Sequence, residues 1–160
     1  MTTHVFKAST VLHANCAAVF AFHENPKNIS KISPPSLRLK NVTCGEKATA
    51  GEIFRIEASQ FGLPIRWTGM WEKVEEPRLL LDVAISSPFK IWRHSHIFED
   101  HQDGCLMTDQ VEYLLKGGWL GALASGLVMP LIFAAMFHAR HKATRDWFNC
   151  SAPAKAPHED

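Results

Sequence analysis

Net charge is what this chain has least of: seventeen Lys and Arg stand against sixteen Asp and Glu among 160 residues. A near-neutral chain has no global field to draw in nucleic acid, so no nucleic-acid partner is expected. Tyrosine occurs once, at Tyr113. The four cysteines (Cys16, Cys44, Cys105 and Cys150) are scattered and form no C-x-x-C pair, which argues against a zinc ribbon or a dithiol redox site. The opening MTTHVFKAST lacks an apolar h-region, so export is not expected and the thiols are read as reduced, in a cytoplasm. There is no P-loop, GxGxxG fingerprint, G-x-S-x-G elbow or H-E-x-x-H. Charge is also missing locally: no ionic side chain occurs in the twenty-one residues from Gly117 to Phe137.

That uncharged run is long enough, at about 1.5 Å per residue, to cross a bilayer. Two features favour a helix packed on protein instead. The stripe Val128, Ile132, Ala135, Met136, Ala139, Ala143 and Trp147 continues past the end of the run, among Arg140, Lys142 and Arg145. Four glycines and Pro130 interrupt the first half, which reads as a loop and a short helical turn, and as a hinged gate. No integral membrane span is expected; peripheral contact through Trp119 to Leu123 stays open. The basic cluster from His138 to Arg145 reads as a solvated helix face.

Along the chain, residues 3–12 alternate as a strand. Asn15 to His23 turns helical, with Cys16, Val19, Phe20 and His23 at i, i+3, i+4, i+7 spacing. Asn25-Pro26 is an N-cap followed by proline, opening a second short helix through Ile32, which Ser33-Pro34-Pro35 ends. Six strands follow, over 37–42, 52–59, 65–74, 79–85, 90–99 and 105–115. The last two are joined by DHQDG, a hairpin-sized turn with glycine at its end. A long helix closes the sequence. The expected fold is α+β, a curved antiparallel sheet of about seven strands around a long C-terminal helix, with two short helices after the first strand. One domain is expected over 1–150, followed by a disordered Ala- and Pro-rich tail over 151–160.

The strand KIWRHSHIFE places Trp92, His94, His96 and Phe98 on one face, and the next places Met107, Asp109, Val111, Tyr113 and Leu115 together. A tight turn pairs Asp109 with either His94 or His96. Several chemistries compete for that set. It is a self-satisfied polar cluster in a cavity wall, a polar anchor for an apolar ligand, or a proton-transfer site with His94, Asp109 and Tyr113 as catalytic groups. A metal site is a fourth reading, with H-x-H and Asp109 as ligands. No metal is expected, because no further His or Glu stands at a matching spacing and His138 and His141 lie on the distant helix. His4, His13, His23 and His101 stand alone and read as surface or edge residues. No cofactor is expected.

The motifs FHENPKNISKISPP (22–35), SPFKIWRHSHIFE (87–99), GCLMTDQVEY (104–113) and FHAR (137–140) resemble the START-like, or Bet v 1-like, helix-grip superfamily (SRPBCC). Within it, the chain is similar to a bacterial ligand-binding branch often labelled cell-division inhibitors, related to polyketide cyclases and dehydrases. Ala84 stands where that branch has glutamine, and Ser87 where it has glycine. The resemblance implies a helix-grip fold with a hydrophobic cavity between sheet and C-terminal helix. The expected function is binding of a small lipid-, polyketide- or quinone-like molecule without catalysis; the alternative is a cyclase or dehydratase using a His–Asp pair. The expected walls are Phe54, Trp67, Trp71, Trp92, Phe98, Val111, Met129, Ile132 and Met136. His94, His96, Asp109 and Tyr113 are expected to hold the ligand's polar end.

Overall fold

Alternation of apolar and polar residues along six segments, with an almost continuously apolar run over 79–85, favours one antiparallel sheet. The computed structural model describes residues 2–60 and 62–151. Its strands are β1 (His4–Leu12), β2 (Leu37–Thr43), β3 (Ile53–Gln60), β4 (Leu63–Glu75), β5 (Leu79–Ser86), β6 (Phe89–His101) and β7 (Gly104–Leu115). They lie in the order β1-β7-β6-β5-β4-β3-β2. Successive strands therefore pair as a meander, and β1 closes against β7 (His4 opposite Tyr113, Leu12 opposite Cys105). The β6–β7 turn depends on Gly104, at φ +133°, where a Cβ would collide with the carbonyl of Leu12.

Between β1 and β2 lie α1 (Cys16–His23), a 3₁₀ turn (Pro26–Asn28) and α2 (Ile29–Ile32). Asn15 caps α1 by accepting from the Ala18 amide at 2.8 Å, and Asn25 caps the following turn through the Lys27 amide at 3.0 Å. After β7 come α3 (Gly118–Leu127) and α4 (Met129–Ser151). The expected tail, apart from Ser151, lies outside the described residues.

Two expectations about this C-terminal part need correction. The glycine-rich segment is not a loop with a short turn but the ten-residue helix α3, bent by 49° from α4. Among the described residues no single helix is long and apolar enough to cross a membrane, although α3 and α4 would pass together by length and composition. The buried face of α4 is also not the expected stripe. Met129, Phe133, Phe137, His141, Thr144 and Phe148 face inward, whereas Val128 is 50% exposed and Trp147 37%. The true face is displaced by about one residue, because it includes polar side chains that satisfy their hydrogen bonds inside.

The core follows from that face. Phe133 and Phe137 pack with Phe6, Val111 and Tyr113 near one end of α4. Phe148 packs at the other end with Val19, Phe20, Leu80, Phe98 and Met107. Burying each such side chain stabilises by roughly 1.5–3 kcal/mol. The cysteines are free, and Cys105 is pushed up to about 12 by burial.

Candidate functional site

Strand register assembles the site. β6 alternates Trp92, His94, His96 and Phe98 inward, and the β5–β6 pairing puts Asp82 opposite His94. The β6–β7 pairing puts Asp109 opposite His96 and Val111 opposite His94, the second of the two expected registers. α4 brings Arg140 and His141 over these strands, and the last turn of α1 brings His23.

Asp109, 3% exposed, is the hub. Its Oδ1 lies 3.0 Å from His94 Nε2 and 2.6 Å from His96 Nδ1, and its Oδ2 lies 2.6 Å from His141 Nε2. His94 and His141 donate to it as hydrogen bonds. The His96 contact is close but not aligned, so His96 Nδ1 is buried without a hydrogen-bond partner. The other nitrogen of His94, Nδ1, sits 3.4 Å from Asp82 Oδ2, while Trp92 Nε1–H donates to Asp82 Oδ1 at 3.2 Å. His94 is thus held between two carboxylates.

Burial alone would lower His94, but its hydrogen bonds to Asp109 and Asp82 outweigh burial and raise it to about 9. Burial would likewise raise Asp109; the surrounding imidazoles instead hold it well below the usual carboxylate range. Burial and the charge on His94 push His96 down. His23 is lowered to about 3 by burial and by His96, 5.6 Å away between ring centroids, while its Nδ1 bonds the Val19 carbonyl at 2.7 Å. Arg140 is lowered by burial, against the pull of Asp109 and Asp82, and its Nε lacks a hydrogen-bond partner.

Beside this cluster lies a cavity of about 530 Å³. Of the residues expected at it, Phe54, Trp67, Trp71, Trp92, His94, His96, Met129, Ile132 and Met136 line it. Phe98, Asp109, Val111 and Tyr113 do not. Phe98 and Val111 are core residues, 2% and 0% exposed, and Asp109 stands behind the histidines. The Tyr113 hydroxyl donates to the Ser125 carbonyl at 3.0 Å, which ties β7 to α3 and removes the phenol from the histidines' side of the cavity.

Sequence reasoning missed four members of the site. Asp82 and Arg140 line the cavity, as does His23, so His23 is not a lone surface residue. His141 is not distant: it is 4% exposed and bound to Asp109. The basic run is not uniformly solvated either, since His141 and Thr144 are buried and Arg145 Nη1 donates to Thr10 Oγ1 at 2.7 Å. The signal was present in the apolar stripe Cys16, Val19, Phe20, His23 and in the i, i+4 series Phe133, Phe137, His141.

The arrangement can accept a hydrogen-bonding end of a ligand at Arg140 and His96. It can also take a cation, because donor atoms of Asp82, His94 and His96 lie within 4.8 Å of one another.

No family model and no curated protein matches the chain. Solved structures do. Protein CV1439 of Chromobacterium violaceum superimposes with a TM-score of 0.73 at 13% identity, over 91% of this chain and 97% of that one. Ara h 8.0201 gives 0.69 at 12% identity, over 94% and 100%. Major latex-like protein 151 of Panax ginseng gives 0.66 at 14% identity, over 94% and 99%. Identities this low carry the fold alone, and the fold is the Bet v 1-like helix grip.

Proposed function

We propose that this helix-grip protein binds one small, mostly apolar molecule, of lipid-, polyketide- or quinone-like character, in the cavity between sheet and α4, without transforming it. The observation that carries this reading is the cavity itself. A volume of about 530 Å³ lies within the usual range for small-molecule sites. Its wall is aromatic and aliphatic, with Trp67, Trp92 and Phe89 in mutual edge or tilted contact. Its charged and imidazole groups gather where Arg140, His94, His96 and Asp82 meet, which favours one orientation for a ligand with a single oxygen-bearing end. The free thiols fit the cytoplasmic setting expected from the sequence.

Native mass spectrometry of protein purified from its own cells tests the reading. The expected result is an adduct that organic extraction removes and that is absent from Ile132→Trp, whose indole fills part of the cavity. Protein that is always adduct-free, and that takes up none of a panel of fatty acids, aromatic polyketides and quinones, would overturn it.

One observation favours the cyclase or dehydratase alternative: His96 faces the cavity with Asp109 behind it, as a general base would. His96, not His94, would then be the proton acceptor, because both His94 nitrogens are engaged. Turnover of a polyketide-like substrate that vanishes in His96→Gln while binding persists would establish it. The α3–α4 bend remains the proposed gate; uniform amide protection through residues 118–137 would remove that role.

A further inference from the structure

We propose that Asp82, His94 and His96 form a site for one divalent transition-metal ion at the polar end of the cavity, with its remaining coordination positions open to the cavity. Two imidazoles and one carboxylate are the donor set by which zinc and non-haem iron(II) are commonly held with positions left open. Here one donor atom from each residue falls within 4.8 Å of the others.

The supporting layer is the stronger argument. Metal-bound histidines usually direct their second nitrogen to a carboxylate, which fixes the ring and makes it a better donor. Asp109 Oδ1 lies 3.0 Å from His94 Nε2 and 2.6 Å from His96 Nδ1, so the opposite nitrogens, His94 Nδ1 and His96 Nε2, are the ones turned away from Asp109. Asp82 Oδ2 already lies 3.4 Å from His94 Nδ1, and its other oxygen is held by the Trp92 indole. Asp109 is in turn fixed by His141 at 2.6 Å. His94 and Asp82 thus each have a hydrogen-bond partner behind them, and Asp109 lies close behind His96 without aligning to it.

Placement separates the two layers. Asp82, His94 and His96 line the cavity; Asp109 does not, and neither does His141. Asp82 and Arg140 both line this end of the cavity, so an open position on a divalent ion there suits an acidic ligand oxygen. This last step alone rests on the ligand-binding reading above.

Equilibrium dialysis of the full, tag-free, chelator-stripped chain against Zn²⁺, with Co²⁺ as the spectroscopic probe, decides the matter. The expected result is one submicromolar equivalent, visible d–d bands of a nitrogen- and oxygen-bound Co²⁺, and a higher melting temperature with Zn²⁺. Asp82→Ala and His96→Gln should each weaken binding at least a hundredfold. Asp109→Asn should keep one equivalent while weakening it by about 10–100-fold. Cys150→Ser and His101→Ala, which test adventitious surface sites, should change nothing. Absence of stoichiometric binding by the folded wild-type chain would overturn the proposal, as would binding that survives both Asp82→Ala and His96→Gln. Zinc bound by protein that takes no organic ligand keeps the metal site and removes the ligand-binding reading. An organic ligand in protein that never takes zinc does the reverse.

Discussion

α3 and the C-terminal half of α4 invert the usual relation between composition and burial. α3 has no charged residue, yet Trp119, Leu120, Leu123 and Leu127 are 72%, 58%, 53% and 66% exposed. The C-terminal half of α4 is dense in ionic side chains, yet it buries His141 and Thr144. The reason lies in what each helix meets. α3 docks on β7 through its small residues: a Cβ at Gly121 would collide with the Leu115 and Lys116 carbonyls. Ser125 accepts the Leu115 amide and donates to the Gly121 carbonyl, both at 2.8 Å. Backbone so close leaves the large side chains no inward direction. α4 instead crosses a carboxylate with acceptor capacity to spare, and its imidazole supplies the donor. Burial is decided by approach distance and by available partners, not by hydropathy.

Four measurements would break or sharpen that contrast. The largest effect is expected from Asp109→Ala, which strands His94 and His141 under α4 without their acceptor; chemical denaturation should show a loss of about 3–5 kcal/mol. Next is pH, in chelator-stripped protein. His94 is raised from 6.5 to about 9, so its contribution is complete below pH 6.5 and is lost as pH rises through 9. The loss is on the order of 3 kcal/mol, and His94→Gln should flatten that alkaline limb in a melting-temperature series. His23, lowered to about 3, acts with the opposite sign and favours the fold less as pH falls below 6.5. Third, Gly121→Ala should force α3 off β7 at a cost of about 1–3 kcal/mol, with faster amide exchange confined to residues 118–127. The smallest effect is expected on the exposed face: Trp119→Ser and Leu123→Lys should each change stability by no more than about 0.5 kcal/mol. A larger loss would mean that α3 packs differently from what is described above.

The sheet was legible because period-two alternation, Asn15, Asn25-Pro26 and Gly104 are local signals, and each stands where its local chemistry requires. The inward face of β6 was legible for the same reason. The C-terminal region was harder to read. The face of α4 was sought as an apolar stripe, and His141 was set aside as polar although it continues the series from Phe133 and Phe137. Asp82 was not placed with the histidines because its strand is almost continuously apolar, so no pattern of its own marks it. Its role comes only from register with β6. Tyr113 shared a face with Asp109 as expected, but α3 captured its hydroxyl, a contact that no strand pattern encodes.

The cavity wall has a consequence for how the protein can be watched. Trp67 and Trp92 meet at 4.8 Å in an edge-on contact, and Trp92 lends its N–H to Asp82. Three of the five indoles, with Trp71, line the cavity. The intrinsic fluorescence of this chain is therefore weighted toward its own interior. An arriving guest, or an ion that draws charge from Asp82, should alter the emission without any added dye. Trp119, in solvent on α3, supplies a built-in background that should stay constant.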